Sequence, residues 1–120
     1  YYRCYVVGQQ HVHIMPYDPR APHADRYVRN PQPIASDMQA RLEKDCLTIC
    51  RALGYDLKTV EFAVEDGIPY AIDFMNPGLE SVGQANFDWI VKHVAELAVQ
   101  KALADAPDVE YRWSSFLNGN

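Results

Sequence analysis

One stretch constrains the fold of this chain more than any other: Thr59-Val-Glu-Phe-Ala-Val-Glu-Asp-Gly-Ile-Pro-Tyr-Ala-Ile-Asp-Phe-Met-Asn-Pro-Gly78. Val60, Phe62 and Val64 alternate with Glu61, Ala63 and Glu65, and Tyr70, Ile72 and Phe74 alternate with Ala71, Asp73 and Met75. Asp66-Gly67 between the two runs is the dipeptide that a tight antiparallel turn demands, and Pro69 is tolerated at a strand start. Strand side chains point to alternate faces. The pattern therefore predicts a hairpin with its aliphatic and aromatic set on the core, and with Glu61 and Asp73 together on the other face.

The remaining segments read around that hairpin. Residues 2–7 and 11–17 are two further strands joined by Gly8-Gln9-Gln10, with Val12 and Ile14 alternating with His11, His13 and Met15. A proline-rich, polar stretch over 18–33 reads as an irregular loop. Ser36 and Gln39 have capping-box spacing and open a helix to about Leu53. Its stripe is Met38, Leu42, Cys46, Ile49, Cys50 and Leu53, and Gly54 stands as its C-terminal cap. A second helix, capped by Asn86, runs to about Ala106, where Pro107 stops it; its stripe is Phe87, Ile90, Val91, Val94, Leu97 and Ala98. A short strand is expected around Glu110–Trp113. Two hairpins and two amphipathic helices without βαβ alternation predict an α+β fold. Its sheet is largely antiparallel, with both helices packed on one face and the other face left open.

At 120 residues the chain fits a single domain. A net charge of −5, with scattered basic residues, leaves no electrostatic footprint for nucleic acid. No apolar run reaches the roughly 18 residues that a bilayer span needs. Cys4, Cys46 and Cys50 are an odd set without metal-ligand spacing. They read as small buried hydrophobes of a cytoplasmic protein. The chain opens without Met, directly in strand-like sequence, and reads as a piece of something longer.

Carboxylates are disfavoured in strands, and two of them on one face of paired strands repel unless a cation lies between. A hard cation such as Mg²⁺ takes such oxygens together with substrate phosphates. The segments Ala52-Leu-Gly-Tyr-Asp-Leu-Lys-Thr-Val-Glu-Phe62, Asp66-Gly67, Tyr70-Ala-Ile-Asp73 and Asn76-Pro-Gly-Leu-Glu80 carry a resemblance, as does Tyr2-Arg-Cys-Tyr-Val-Val-Gly8. In this order they resemble the C-terminal part of ATP-grasp ligases, in particular the branch containing glutathione synthetase and the glutamate ligases that modify ribosomal proteins. The likeness spans roughly residues 1–100.

That resemblance implies a Mg²⁺–ATP site (Mn²⁺ serving in its place). Glu61, Asp73 and Asn76 would hold metal, and Arg3 would contact the triphosphate or the reacting carboxylate. It implies phosphorylation of a small carboxylate and attack on the acyl phosphate by an amine. The chain departs from the family in three respects. Asp73 and Asn76 are separated by two residues, so regular alternation turns them to opposite faces unless a bulge intervenes. Thr59 stands where some branches carry an Arg. The N-terminal half, with its adenine-binding hinge, lysines and phosphate loop, is missing, so the piece alone is expected to be inactive. A non-catalytic module for assembly or partner binding is the alternative, and the open sheet and helix stripe offer surfaces for a second copy. His11 and His13 share a strand face and could ligate Zn²⁺, but no third ligand is identifiable from the sequence. His23, Arg26 and Arg29 could meet an anion but read as a solvated loop, and His93 reads as helix surface.

Overall fold

Every residue of the first strand from Arg3 to Val7 is buried, which requires partners on both edges and cover on both faces. The computed structural model, which describes residues 1–75 and 84–104, supplies all of these. In chain order the elements are β1 (Tyr2–Val7), β2 (His11–Pro16), α1 (Ser36–Leu53), β3 (Leu57–Glu65), β4 (Ile68–Asp73) and α2 (Gln84–Leu103), with a 3-10 turn at His23–Asp25. The four strands form one sheet in the order β2-β1-β3-β4, antiparallel at every pairing. The α+β class and the antiparallel sheet are thus as the sequence indicates.

The hairpin turns follow from local chemistry. Gly8 and Gln9 take φ of 63° and 57°, and Asp66 and Gly67 take 50° and 75°. These are the left-handed pairs whose twist matches flanking antiparallel strands. Gly54 ends α1 at φ 76°, with its N–H and that of Tyr55 both donated to the Cys50 carbonyl. At the other end of α1 the expected capping box does not form. Ala35 is the N-cap without a side-chain bond, Ser36 is already helical, and the Gln39 amide side chain bonds Glu43 instead. The helix α2 begins at Gln84, so Asn86 lies inside it rather than capping it. The expected stop at Pro107 and the strand around Glu110–Trp113 lie outside the described residues.

The two helices occupy opposite faces of the sheet, where the sequence reading had placed both on one. Cys4, Val6, Val60 and Phe62 pack with Leu42, Cys46 and Cys50 of α1, joined by Met38 and Ile49, while Leu53 is 43% exposed at the helix end. The intervening side chains of β1 and β2 point the other way, and there Tyr5 and Met15 pack with Ile90, flanked by Tyr27, Trp89 and Val94. The face α2 buries is rotated from the expected stripe. Trp89, Ile90, His93, Val94 and Leu97 turn inward, whereas Phe87 and Val91 are about half exposed. Apolar residues are spread around α2 instead of being confined to one stripe, so its orientation is settled by the surface it meets. Among the described residues α2 meets β1 and β2, with Asn86 and Trp89 on His13, His93 on His11 and Leu97 near Gly8, and Lys101 pairs with Asp56 just before β3 at 3.0 Å. Among the described residues, the β3–β4 part of the sheet, which carries Glu61 and Asp73, has no helix of its own on this second face.

A bulge in β4 decides which of its side chains reach the core. Glu61 pairs with Asp73 but Phe62 pairs with Ala71, so Ile72 is the extra residue. Ala71 and Pro69 therefore face α1, and Tyr70 and Ile72 are exposed, which corrects the expectation that Tyr70, Ile72 and Phe74 all face the core. No helix among the described residues is long and apolar enough to cross a membrane.

Candidate functional site

Strand register places Arg3, Glu61 and Asp73 in one row. Arg3 of β1 is opposite Glu61 of β3, and Glu61 is opposite Asp73 of β4. Arg3 and Glu61 share a face and bond each other; Asp73 is in register with Glu61 across the β4 bulge, and its charge also reaches Lys58. The alternation in the hairpin predicts the Glu61–Asp73 pair. The neighbouring position of Arg3 depends on the long-range pairing of β1 with β3, which no local pattern reveals.

Arg3 is held from several sides. One terminal nitrogen donates to Glu61 Oε2 at 3.0 Å and the other to the Tyr27 hydroxyl at 3.1 Å. Its guanidinium carbon lies 4.1 Å from the centre of the Tyr17 ring, a cation–π contact. The Tyr5 and Tyr27 hydroxyls are 3.4 Å apart. Burial alone would lower the Arg3 pKa, but the bonds to Tyr27 and Glu61 more than offset it and hold the group above its ordinary value. The stretch expected to be an irregular loop builds this enclosure. Tyr17 bridges Tyr27, Asp18 N–H donates to the Arg26 carbonyl, and Arg26 reaches back to Ala21 and the Tyr17 hydroxyl. Arg26 is therefore a loop brace rather than an anion receptor, and His23 and Arg29 are exposed. Tyr17 and Tyr27 were missed in the sequence because nothing local distinguishes a lid tyrosine from a core one.

The row carries one positive and two negative formal charges. Arg3 cancels Glu61, so Asp73, which is exposed, leaves a single net negative charge. Such a site attracts a free divalent ion only weakly, and it suits Mg²⁺ arriving with phosphates that complete its shell and share Arg3. The donor set fits that ion: hard carboxylate oxygens on adjacent strands with a fixed cation alongside. Asn76, the third expected ligand, lies outside the described residues, as does the Pro77–Glu80 loop. Thr59 is paired with Tyr5 across β1 and β3.

The other candidates are redistributed. His13 does not join His11 in a metal pair. Its Nε2 is 2.8 Å from Asn86 Oδ1, and its ring stacks on Trp89 at 4.8 Å. His11 instead meets His93, which is half-buried rather than on the helix surface. On the α1 face the three cysteines are buried and unlinked. A hydrogen bond to Cys4, then burial, raises the Cys46 pKa, and burial pushes Cys50 up to about 11. Lys58 is fully buried there; burial lowers its pKa, and its Nζ lies 4.1 Å from the Tyr55 ring centre with no hydrogen-bond partner among the described residues. Comparison of the chain with protein-family models, curated proteins and solved structures finds no match.

Proposed function

We propose that this chain is the Mg²⁺–ATP-binding part of a longer ATP-grasp enzyme, a carboxylate–amine ligase that works through an acyl phosphate. The observation that supports this reading is the Arg3–Glu61–Asp73 row across three adjacent strands. It is the residue set that the resemblance singled out. In this reading Glu61 and Asp73 hold the metal, Asn76 adds a ligand, and Arg3 binds phosphate. Bound Mg²⁺ supplies charge neutralisation for phosphoryl transfer, which depends on positioning and electrostatics rather than covalent chemistry from the protein. Arg3, fixed by Tyr27 and Tyr17, presents its charge without reorganising, which is the form of electrostatic help that costs least at the moment of reaction.

A second reading, a non-catalytic module for assembly, draws on the Arg3–Glu61 ion pair, which gives each charge an opposite one without any ligand. Titration of ATP into the intact parent protein, with and without Mg²⁺, separates the two. The ligase reading requires metal-dependent nucleotide binding that Asp73→Ala abolishes, together with loss of Mg²⁺-dependent ATP hydrolysis in Asp73→Ala and Glu61→Ala. Asp73 is exposed, so its substitution leaves the fold standing. Nucleotide binding indifferent to Mg²⁺ and to Asp73, or hydrolysis retained in both variants, refutes it.

A further inference from the structure

At the opposite edge of the sheet from Asp73, β2 and α2 bring together His11, His93 and Glu96. One ligand atom from each lies within 4.8 Å of the others. The two imidazole centres are 4.6 Å apart with planes tilted by 58°. His93 and Glu96 are three residues apart on one helix face, and His11 is held by its register with Val7. All three therefore sit on regular elements rather than on loops. His93 Nδ1 is 2.7 Å from the Trp89 carbonyl, and a carbonyl only accepts, so that nitrogen carries the proton. Nε2 is left with its lone pair as the ligating atom, the outer-shell arrangement that orients metal-binding histidines.

From this geometry we infer that His11, His93 and Glu96 form a Zn²⁺ site that fastens α2 to the edge strand. Two imidazoles and one carboxylate are a borderline donor set suited to Zn²⁺ rather than Mg²⁺, and three protein ligands leave the fourth position for water. Zn–N and Zn–O bonds of roughly 2.0–2.2 Å give a tetrahedron with edges of about 3.4 Å. The present spacing closes to that by a shift of about 1.4 Å at most, within reach of small χ rotations in His11 and Glu96. A pocket of about 210 Å³ opens beside the cluster, lined by His11, His93 and Trp89 with Gln10 and Glu43, and gives the fourth ligand room. The site is independent of the nucleotide reading, since it shares no residue with the Arg3–Glu61–Asp73 row.

The test is Zn²⁺ titration of the purified chain by calorimetry, with thermal melts and Co²⁺ substitution. One equivalent is expected to bind, and Zn²⁺ at about 100 times its Kd raises the melting midpoint by about 10 °C. His11→Ala and His93→Ala each weaken binding by about 100-fold or more, whereas His13→Gln changes it by less than about 3-fold. Glu96 is exposed, so Glu96→Gln folds normally and its loss of affinity cannot be ascribed to unfolding. Co²⁺ gives d–d bands of a nitrogen–oxygen site without thiolate charge transfer. Absence of a Zn²⁺-dependent shift, unaltered affinity in the His93 and Glu96 variants, or a thiolate band from the cysteines overturns the site.

Discussion

Removing the Glu61 carboxylate tests the physical basis of the row. The Arg3 and Glu61 side chains are only 11% and 15% exposed, so Glu61→Ala takes an opposite charge away from a largely buried guanidinium. Breaking a fully buried pair costs about 3–5 kcal/mol. Arg3 keeps its bond to the Tyr27 hydroxyl and its contact with the Tyr17 ring, and the ring contact is worth about 1 kcal/mol. Some water also reaches the pair, so the expected cost is about 2 kcal/mol. In a domain of this size that lowers the melting midpoint by about 8 °C. The assay is a double-mutant cycle by urea denaturation and thermal melting, with Glu61→Ala, Arg3→Leu and the double variant. Deleting both charges removes the buried cation along with the carboxylate it pairs with, so the double variant should lose less than the sum of the single variants, with a coupling of about 1.5 kcal/mol. Glu61→Gln, which keeps an acceptor for Arg3, should lose about half as much as Glu61→Ala. Single-variant losses that add within about 0.5 kcal/mol would mean that Glu61 does not serve as the Arg3 counter-ion, and the argument for a preset row would fail.

Three further outcomes are expected. A Cβ at Gly54 meets nothing within 4 Å and at Gly8 meets Leu97 Cδ1 at 3.2 Å, both at positive φ; Gly54→Ala should cost about 1 kcal/mol in urea titrations and Gly8→Ala measurably more. Lys58→Met should raise stability at neutral pH by about 1 kcal/mol, because a buried unpaired cation is replaced by an apolar side chain of similar length. The lowered Lys58 pKa means the folded chain sheds that proton first, so the gain should shrink as pH rises towards 10.5, the unfolded value. The Cys50 pKa of about 11, against 9.0 unfolded, has the opposite sign: its contribution is complete below pH 9.0 and is lost as pH climbs through about 11. Thiol titration with a disulfide reagent at pH 8 should accordingly show no fast-reacting cysteine until denaturant is added.

The nucleotide and metal readings place opposite demands on the two edges of the sheet. Under the proposed nucleotide reading, the row ending at Asp73 uses hard oxygen donors beside a cation and would need phosphate to complete a Mg²⁺ shell. The cluster at His11 uses imidazole and is complete with water. A chain with both would respond to Zn²⁺ in stability and to Mg²⁺ in nucleotide binding, and the two responses would be separable by Asp73→Ala and His93→Ala. Between the edges, β1 supplies Arg3 to one site and the packing surface for α2 through Tyr5 to the other.

The sequence alone determined the strands, both left-handed turns and the α1 stripe. Each of these depends on alternation, helical period or glycine, and such signals act over a few residues. The tertiary structure alone decided the rest. It put α2 across the sheet from α1, because a helix whose apolar residues are spread around it takes its orientation from the surface it covers. The bulge at Ile72 turned Ala71 rather than Tyr70 to the core. Long-range pairing brought Arg3 beside Glu61, and the loop after β2 brought the Tyr27 hydroxyl to Arg3. His11 meets not His13 but His93 and Glu96, 82 and 85 residues further on, joined to it by packing and by nothing in the intervening pattern.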